Sequence, residues 1–174
     1  MTTELSLSTS SVGVVTPDIL GSLSGLEFLQ RIGDGRLPVP PIAALLGFRP
    51  AEVESGRAVF VATPDARHYN PIGSVHGGYA ATLLDSSMAC AVHSKLKAGQ
   101  GYTTVELKVN YVRQLSADTG EVRAEGKVIH FGRQIASAEG RLTDARGRLL
   151  AHATTTCLVF SLPKAVAAPF VREE

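Results

Sequence analysis

The stretch from Asn70 to Val92 reads NPIGSVHGGYAATLLDSSMACAV, and it carries the strongest structural signal in the chain. Two helix breakers, Pro71 and Gly73, mark its first part as a loop. After the His-Gly-Gly triplet, apolar residues continue and wrap most of the way round a helix, which is typical of a helix buried on nearly all sides. The stretch therefore predicts one long central helix over residues 77–96.

Four strand-like runs follow this helix, separated by connectors with turn-forming residues. They are Tyr102 to Arg113, Gly120 to His130, Gln134 to Asp144 and Leu149 to Ser161. Because tight connectors join antiparallel neighbours, these runs predict an antiparallel meander. Residues 49–63 also alternate in parts, as a strand does. The pattern predicts an α+β fold in which an antiparallel sheet wraps around a long central helix.

The chain has 174 residues with 44% hydrophobic content, which is enough for one domain with a substantial core and short for two. Residues 1–22 are rich in Ser, Thr and Gly without a helical period, so we predict a mobile N-terminal arm. Residues 23–162 are predicted to form a single domain that begins with a short helix. Residues 163–174 are predicted to be a loose C-terminal tail.

Charge is nearly balanced, with 17 basic and 16 acidic residues, so composition gives no argument for nucleic acid or an anionic membrane as a partner. No secretory signal and no stretch near ~20 apolar residues is visible. Cys90 and Cys157 lie in apolar segments without metal-ligand spacing, which predicts free buried thiols and no metal site. A cytoplasmic location fits these features.

Asp85 interrupts the apolar helix, and no Lys or Arg lies within a helical turn of it. A carboxylate in an apolar setting is costly unless a polar partner meets it. The partner is a group elsewhere in the fold, a second subunit or a ligand. The local pattern leaves two roles open, a functional carboxylate and a structural acid that bonds backbone amides.

The triplet His76-Gly77-Gly78 stands where the helix begins. Backbone amides are free at a helix N-terminus, and glycine lets a ligand approach them closely, so a developing oxyanion has donors there. A glycine-rich entry turn required only for steric reasons is the alternative. Asp85 is eight residues after Gly77, about 12 Å along the helix axis. One carbonyl cannot contact both groups of the same helix, which favours a dimer with a site at the interface.

The order Asn, two residues, Gly, two residues, His-Gly-Gly, six residues, Asp resembles the hot-dog-fold thioesterases of the PaaI-like (phenylacetate-pathway) type. Residues 70–85 carry this motif, and the resemblance extends over roughly residues 40–161. It implies a hot-dog fold that assembles as a dimer or dimer of dimers, hence a homodimer or homotetramer. It also implies an acyl-CoA thioesterase that needs no cofactor, since coenzyme A is part of the substrate.

The resemblance assigns catalytic roles to matching positions. The Gly77 amide would polarise the thioester carbonyl, and Asp85 of the facing subunit would act as general base or nucleophile. Asn70 would position the attacking water or the carbonyl. A Ser or Thr early in the next strand would help to hold the water, and Thr104 matches that place, with Thr103 as a near alternative.

The same resemblance suggests substrate-binding positions. His76 and Gly78 would support the loop and the neighbouring site. Arg133, in the turn between two late strands, would pair with a phosphate of coenzyme A, although an ordinary solvated arginine is the alternative. Candidates to line an apolar acyl pocket, unless they only pack in the core, are Tyr79, Leu83, Met88 and Tyr111.

Two other functions stay open. A hot-dog hydratase or dehydratase would pair a carboxylate with a catalytic histidine, but Asn70 stands where that class wants an acid. A non-catalytic acyl-CoA-binding regulator would carry a DNA-binding segment, and residues 1–40 show no helix-turn-helix pattern and no basic cluster.

Overall fold

The computed structural model describes residues 11–163. The helices of this part, in chain order, are α1 (Pro17–Ser22), α2 (Gly25–Gly33), α3 (Pro41–Leu46) and α4 (Gly77–His93). The strands are β1 (Phe48–Glu54), β2 (Arg57–Ala62), β3 (Gln100–Tyr111), β4 (Val122–Phe131), β5 (Ile135–Asp144) and β6 (Leu149–Ser161).

The six strands form one antiparallel sheet in the order β1-β2-β4-β5-β6-β3. The predicted meander is correct for β4, β5 and β6 but wrong for β3, which pairs with β6 from Gln100–Ser161 to Tyr111–Ala151. The connector of residues 112–121 is too long for a tight hairpin, and it leads the chain across the sheet instead. As a result, β3 is an edge strand.

The run over residues 49–63, which we predicted to be strand-like, is a hairpin of β1 and β2. Gly56 turns the chain between them with φ +84°, a left-handed conformation that glycine adopts without strain.

Helix α4 packs against the inner face of the sheet with Leu83, Leu84 and Met88 at most 1% exposed. Gly126 of β4 lets the helix come close, since a Cβ there would lie 2.4 Å from the carbonyl carbon of Ser87. The predicted α+β fold with a sheet around a central helix is therefore confirmed, although α4 ends at His93 rather than near residue 96.

The N-terminal segment contains more structure than its composition predicts. Val12 forms a parallel bridge with Val39, and Pro17 starts α1, because proline presets the φ of a first helical residue. The prediction of a mobile N-terminal arm over residues 1–22 stays a prediction. Residues 1–10 and 164–174, which include nearly all of the predicted tail, lie outside the described residues. Within residues 11–163, no helix has the length and apolar character to span a membrane.

Candidate active site

Asn70 organises the loop that leads into α4. Its Oδ1 accepts hydrogen bonds from the backbone N–H groups of Ile72 and Ser74, both at 3.1 Å. Its Nδ2 donates to Ser74 Oγ at 3.0 Å. An amide side chain carries two N–H donors, so one Nδ2 proton has no acceptor among the described residues. The structure thus shows Asn70 holding the loop in shape with most of its hydrogen-bonding capacity.

His76 caps the N-terminus of α4. Its ring Nδ1 accepts a hydrogen bond from the backbone N–H of Gly78 at 2.8 Å. The backbone N–H of His76 donates to the carbonyl of His68, also at 2.8 Å. The Gly77 N–H has no acceptor among residues 11–163 and no intrahelical partner at this helix position. Of the two glycine amides predicted to matter, the Gly77 amide is therefore the one left free to bind a ligand.

A first cavity of about 320 Å³ opens beside this amide. Asn70, His76 and Gly77 line it together with Tyr111, whose hydroxyl donates to the Gly77 carbonyl at 3.0 Å. Tyr111 is 55% exposed and lies at the end of edge strand β3, so it belongs to the cavity rather than to the core. Arg113 also lines the cavity, with Nη1 bonded to the carbonyl of Leu149.

Asp85 lies at a second place on α4, with Thr104 of β3 as its polar partner. Thr104 Oγ1 donates to Asp85 Oδ1 at 3.1 Å, which gives the partly buried carboxylate a hydrogen-bond partner. Burial raises the pKa of the neighbouring Cys90 to about 12, and the negative charge of Asp85 adds to the effect. Cys90 therefore stays a neutral thiol at pH 7.

A second cavity, a groove of about 1300 Å³, contains Asp85, Thr103 and Thr104 in its lining. Helices α2 and α3 also contribute residues to this lining, a role that no signal in the sequence indicated. Tyr102 of β3 also lines the groove, and burial raises its pKa well above the usual value, so its hydroxyl is neutral.

The two cavities do not share a lining residue, and one continuous helix carries both key groups. Eight residues of helix separate Gly77 from Asp85 by about 12 Å along the axis. The predicted site residues thus form two half-sites, Asn70, His76 and Gly77 in one and Asp85 with Thr104 in the other.

Arg133 lies apart from both half-sites. It is exposed in the turn between β4 and β5, lines neither cavity, and has no ion pair among residues 11–163. The other proposed acyl-pocket residues are core residues, since Tyr79, Leu83 and Met88 are at most 3% exposed.

Comparison with known proteins gives thioesterases, the class that the sequence motif resembles. Residues 72–151 match the Thioesterase superfamily model. The chain is 33% identical over 107 residues to the proofreading thioesterase EntH of Klebsiella pneumoniae, covering 62% of this chain and 77% of the relative. It is 26% identical to the 1,4-dihydroxy-2-naphthoyl-CoA hydrolase of Escherichia coli, covering 77% and 93%.

Among solved structures, a phenylacetic acid degradation-related putative thioesterase from Ralstonia eutropha superposes with a TM-score of 0.69 at 29% identity, covering 75% of this chain and 98% of that one. The chain belongs to the thioesterase superfamily. It is a PaaI-like thioester hydrolase with the hot-dog fold, and the predictions of fold, family and enzyme class are confirmed. Helices α1 to α3 precede the segment that the family model matches.

Proposed function

We propose that the protein hydrolyses acyl-CoA thioesters to a free acid and coenzyme A without a cofactor. The observation that carries this proposal is the presence, on one helix, of a free amide at Gly77 and of a carboxylate at Asp85 that Thr104 contacts. The Escherichia coli relative is named for hydrolysing a CoA thioester, which supports CoA as the leaving group here.

The proposed chemistry uses each group for one task. The Gly77 N–H binds the thioester oxygen and stabilises the negative charge that develops on it. Asp85 either removes a proton from a water held by Thr104 or attacks the carbonyl itself. The C–S bond then breaks, and the leaving thiolate of coenzyme A takes up a proton, which Asp85 returns in the general-base route. In the nucleophilic route a mixed anhydride forms on Asp85, and water hydrolyses it to release the free acid and restore the carboxylate. Asn70 holds the loop, and its remaining Nδ2 proton faces the carbonyl or the water.

We propose that two copies of the chain complete each site. Strand β3 is at the sheet edge, and no described strand pairs with its other side. Its Tyr102–Thr104 end lines the Asp85 groove and its Tyr111 end lines the Gly77 cavity. In an antiparallel, two-fold pairing of two β3 strands, the groove end of one lies beside the cavity end of the other. Such a homodimer brings Gly77 of one subunit towards Asp85 of the other, and two such dimers would form the predicted homotetramer.

The coenzyme A end of the substrate is proposed to extend along the protein surface. His76 and Gly78 frame its entrance, since the ring of His76 is exposed beside the free Gly77 amide. Arg133, an exposed guanidinium without an ion pair among the described residues, is proposed to meet a phosphate.

A thiol-release assay tests the proposal with benzoyl-, phenylacetyl- and fatty acyl-CoA, comparing wild type with Asp85→Asn. Asp118→Asn is the matched control, because Asp118 is exposed and lines neither cavity. We expect the first variant to lose at least 100-fold in kcat, on the order of a general-base contribution, and the control to match wild type. A wild type that releases no CoA from any of them refutes the thioesterase assignment, and full activity of Asp85→Asn refutes the role of Asp85.

Two other outcomes of the same experiment have distinct signatures. A hydratase removes the absorbance of an enoyl-CoA without releasing thiol. An acyl-CoA-binding protein binds the substrate and leaves both signals unchanged.

A further inference from the structure

We propose that α2 and α3 form the wall of an acyl-binding groove, and that the enzyme prefers long, apolar acyl chains to short or single-ring acyl groups. This inference rests on the proposed function, because it takes Asp85 as the reactive carboxylate. It assigns specificity to a part of the chain that precedes the segment matched by the family model.

The groove contains the carboxylate of Asp85 and apolar side chains in one lining. Asp85 and Thr104 line it together with Leu29 and Ile32 of α2 and Ile42 of α3. In a single subunit the groove has a volume of about 1300 Å³. Small-molecule pockets are typically about 300–1000 Å³, so a single aromatic ring would leave most of this space unfilled.

Few charges interrupt this path. Apart from Asp85, the charged side chains of the lining are Asp34 and Arg49, and both are exposed. An alkyl chain that leaves the thioester carbonyl at Asp85 therefore meets mainly hydrocarbon, and gains affinity with each methylene that it buries.

The wall is fixed in place by close contacts at the start of α2. The Gly25 N–H donates to the Leu96 carbonyl at 3.0 Å, just beyond the end of α4. A Cβ at Gly25 would lie 1.7 Å from the carbonyl oxygen of His93, so only glycine allows this approach. Phe28 stacks on the His93 ring with centroids 5.1 Å apart. Helix α2 is thus held against the end of α4, so its side of the groove has a fixed position.

The preference follows quantitatively from burial. Each methylene moved from water into an apolar site contributes up to about a fourfold gain in binding. Even with a third of this effect, kcat/KM should rise by at least about tenfold from butanoyl-CoA to dodecanoyl-CoA. Benzoyl-CoA should fall near the short-chain end of the series.

Helix α3 offers a matched pair of positions for the test. Ile42 and Leu45 are both exposed, at 49% and 74%, but only Ile42 lines the groove. The experiment measures kcat/KM for straight-chain acyl-CoAs from acetyl to hexadecanoyl, below their micelle concentrations, in wild type, Ile42→Asp and Leu45→Asp. Ile42→Asp should lose at least about tenfold on dodecanoyl-CoA and less than twofold on acetyl-CoA, whereas Leu45→Asp should follow wild type throughout.

The acetyl-CoA rate of each variant reports whether its fold and reactive groups are intact. Wild type that hydrolyses acyl-CoAs without a rise in kcat/KM with chain length, or equal profiles for the two variants, would overturn the acyl groove while leaving the proposed function in place. A wild type without activity on any acyl-CoA of the series or on benzoyl- and phenylacetyl-CoA would instead overturn the proposed function itself.

Discussion

Replacing Gly77 with proline removes the one backbone N–H proposed to bind the thioester oxygen. Proline is accepted at a first helical position because the N–H there has no intrahelical partner. The preceding residue, His76, has φ −60° and ψ 136°, an extended conformation that a following proline favours. The substitution should therefore delete a single hydrogen-bond donor and keep α4 intact.

Gly77→Ala is the reference for this experiment, because alanine keeps the N–H and adds a Cβ as proline does. That Cβ would lie 3.1 Å from Cζ of Tyr111, a tight contact with a half-exposed ring that has room to shift. The steric cost is thus shared largely by the two variants, and their ratio reports the amide. Loss of one oxyanion donor costs about 2.7–4 kcal/mol, so Gly77→Pro should have a kcat roughly 100- to 1000-fold below that of Gly77→Ala.

The assay is thiol release from one acyl-CoA under saturating substrate, with circular dichroism and thermal melting of both variants to show that they fold alike. If Gly77→Pro stays within threefold of Gly77→Ala, the Gly77 amide does not stabilise the transition state. Another group would then have to bind the oxyanion, and the proposed catalytic role of Gly77 would be wrong.

Three further predictions follow from the packing and the proposed assembly. Gly126→Ala should lower the free energy of unfolding by about 1–3 kcal/mol in a denaturant titration, because its Cβ would meet the Ser87 backbone at 2.4 Å. Burial lowers the pKa of His93 from 6.5 to about 4, so between these values the unfolded chain binds more protons. The contribution of neutral His93 to the free energy of unfolding should be fully present above pH 6.5 and should fall by up to about 3 kcal/mol as the pH is lowered towards 4. His93→Phe should remove this dependence of stability on pH. Mixing Gly77→Pro with Asp85→Asn should restore about a quarter of wild-type activity, because half of the dimers are mixed and each has one intact site.

Each of these predictions has an outcome that contradicts it. Gly21→Ala is the control for the Gly126→Ala experiment, since its Cβ would meet nothing within 4 Å. Equal free energies of unfolding for the two variants would contradict the close approach of α4 to β4. If the free energy of unfolding of His93→Phe falls with pH as steeply as that of wild type, other groups cause the loss of stability in acid. A mixture as inactive as its components would contradict sites shared between subunits.

The central helix and its place in the fold could be predicted because their signals are local. An apolar run that wraps round a helix needs burial whatever surrounds it. The pairing of β3 with β6 could not be predicted in this way, since Tyr111 and Ala151 are 40 residues apart and nothing at either position specifies the other. Residues 49–63 were predicted only as strand-like, and the turn at Gly56 that divides them into β1 and β2 is shown by the folded chain.

The site shows the same division between local and long-range information. The spacing of Gly77 and Asp85 on one helix is fixed by helix geometry, so their separation into two half-sites followed from sequence alone. The groove beside Asp85 depends instead on where α2 docks, and that is decided by the absence of a Cβ at Gly25 facing the carbonyl of His93. A glycine at a helix start is ordinary in a sequence, and only the folded chain shows that its missing side chain positions the wall. If α2 and α3 line the acyl groove, the chemistry of the half-sites and the choice of acyl group depend on separate parts of the chain. Substitutions in α2 and α3 should then change the substrate without changing the reaction.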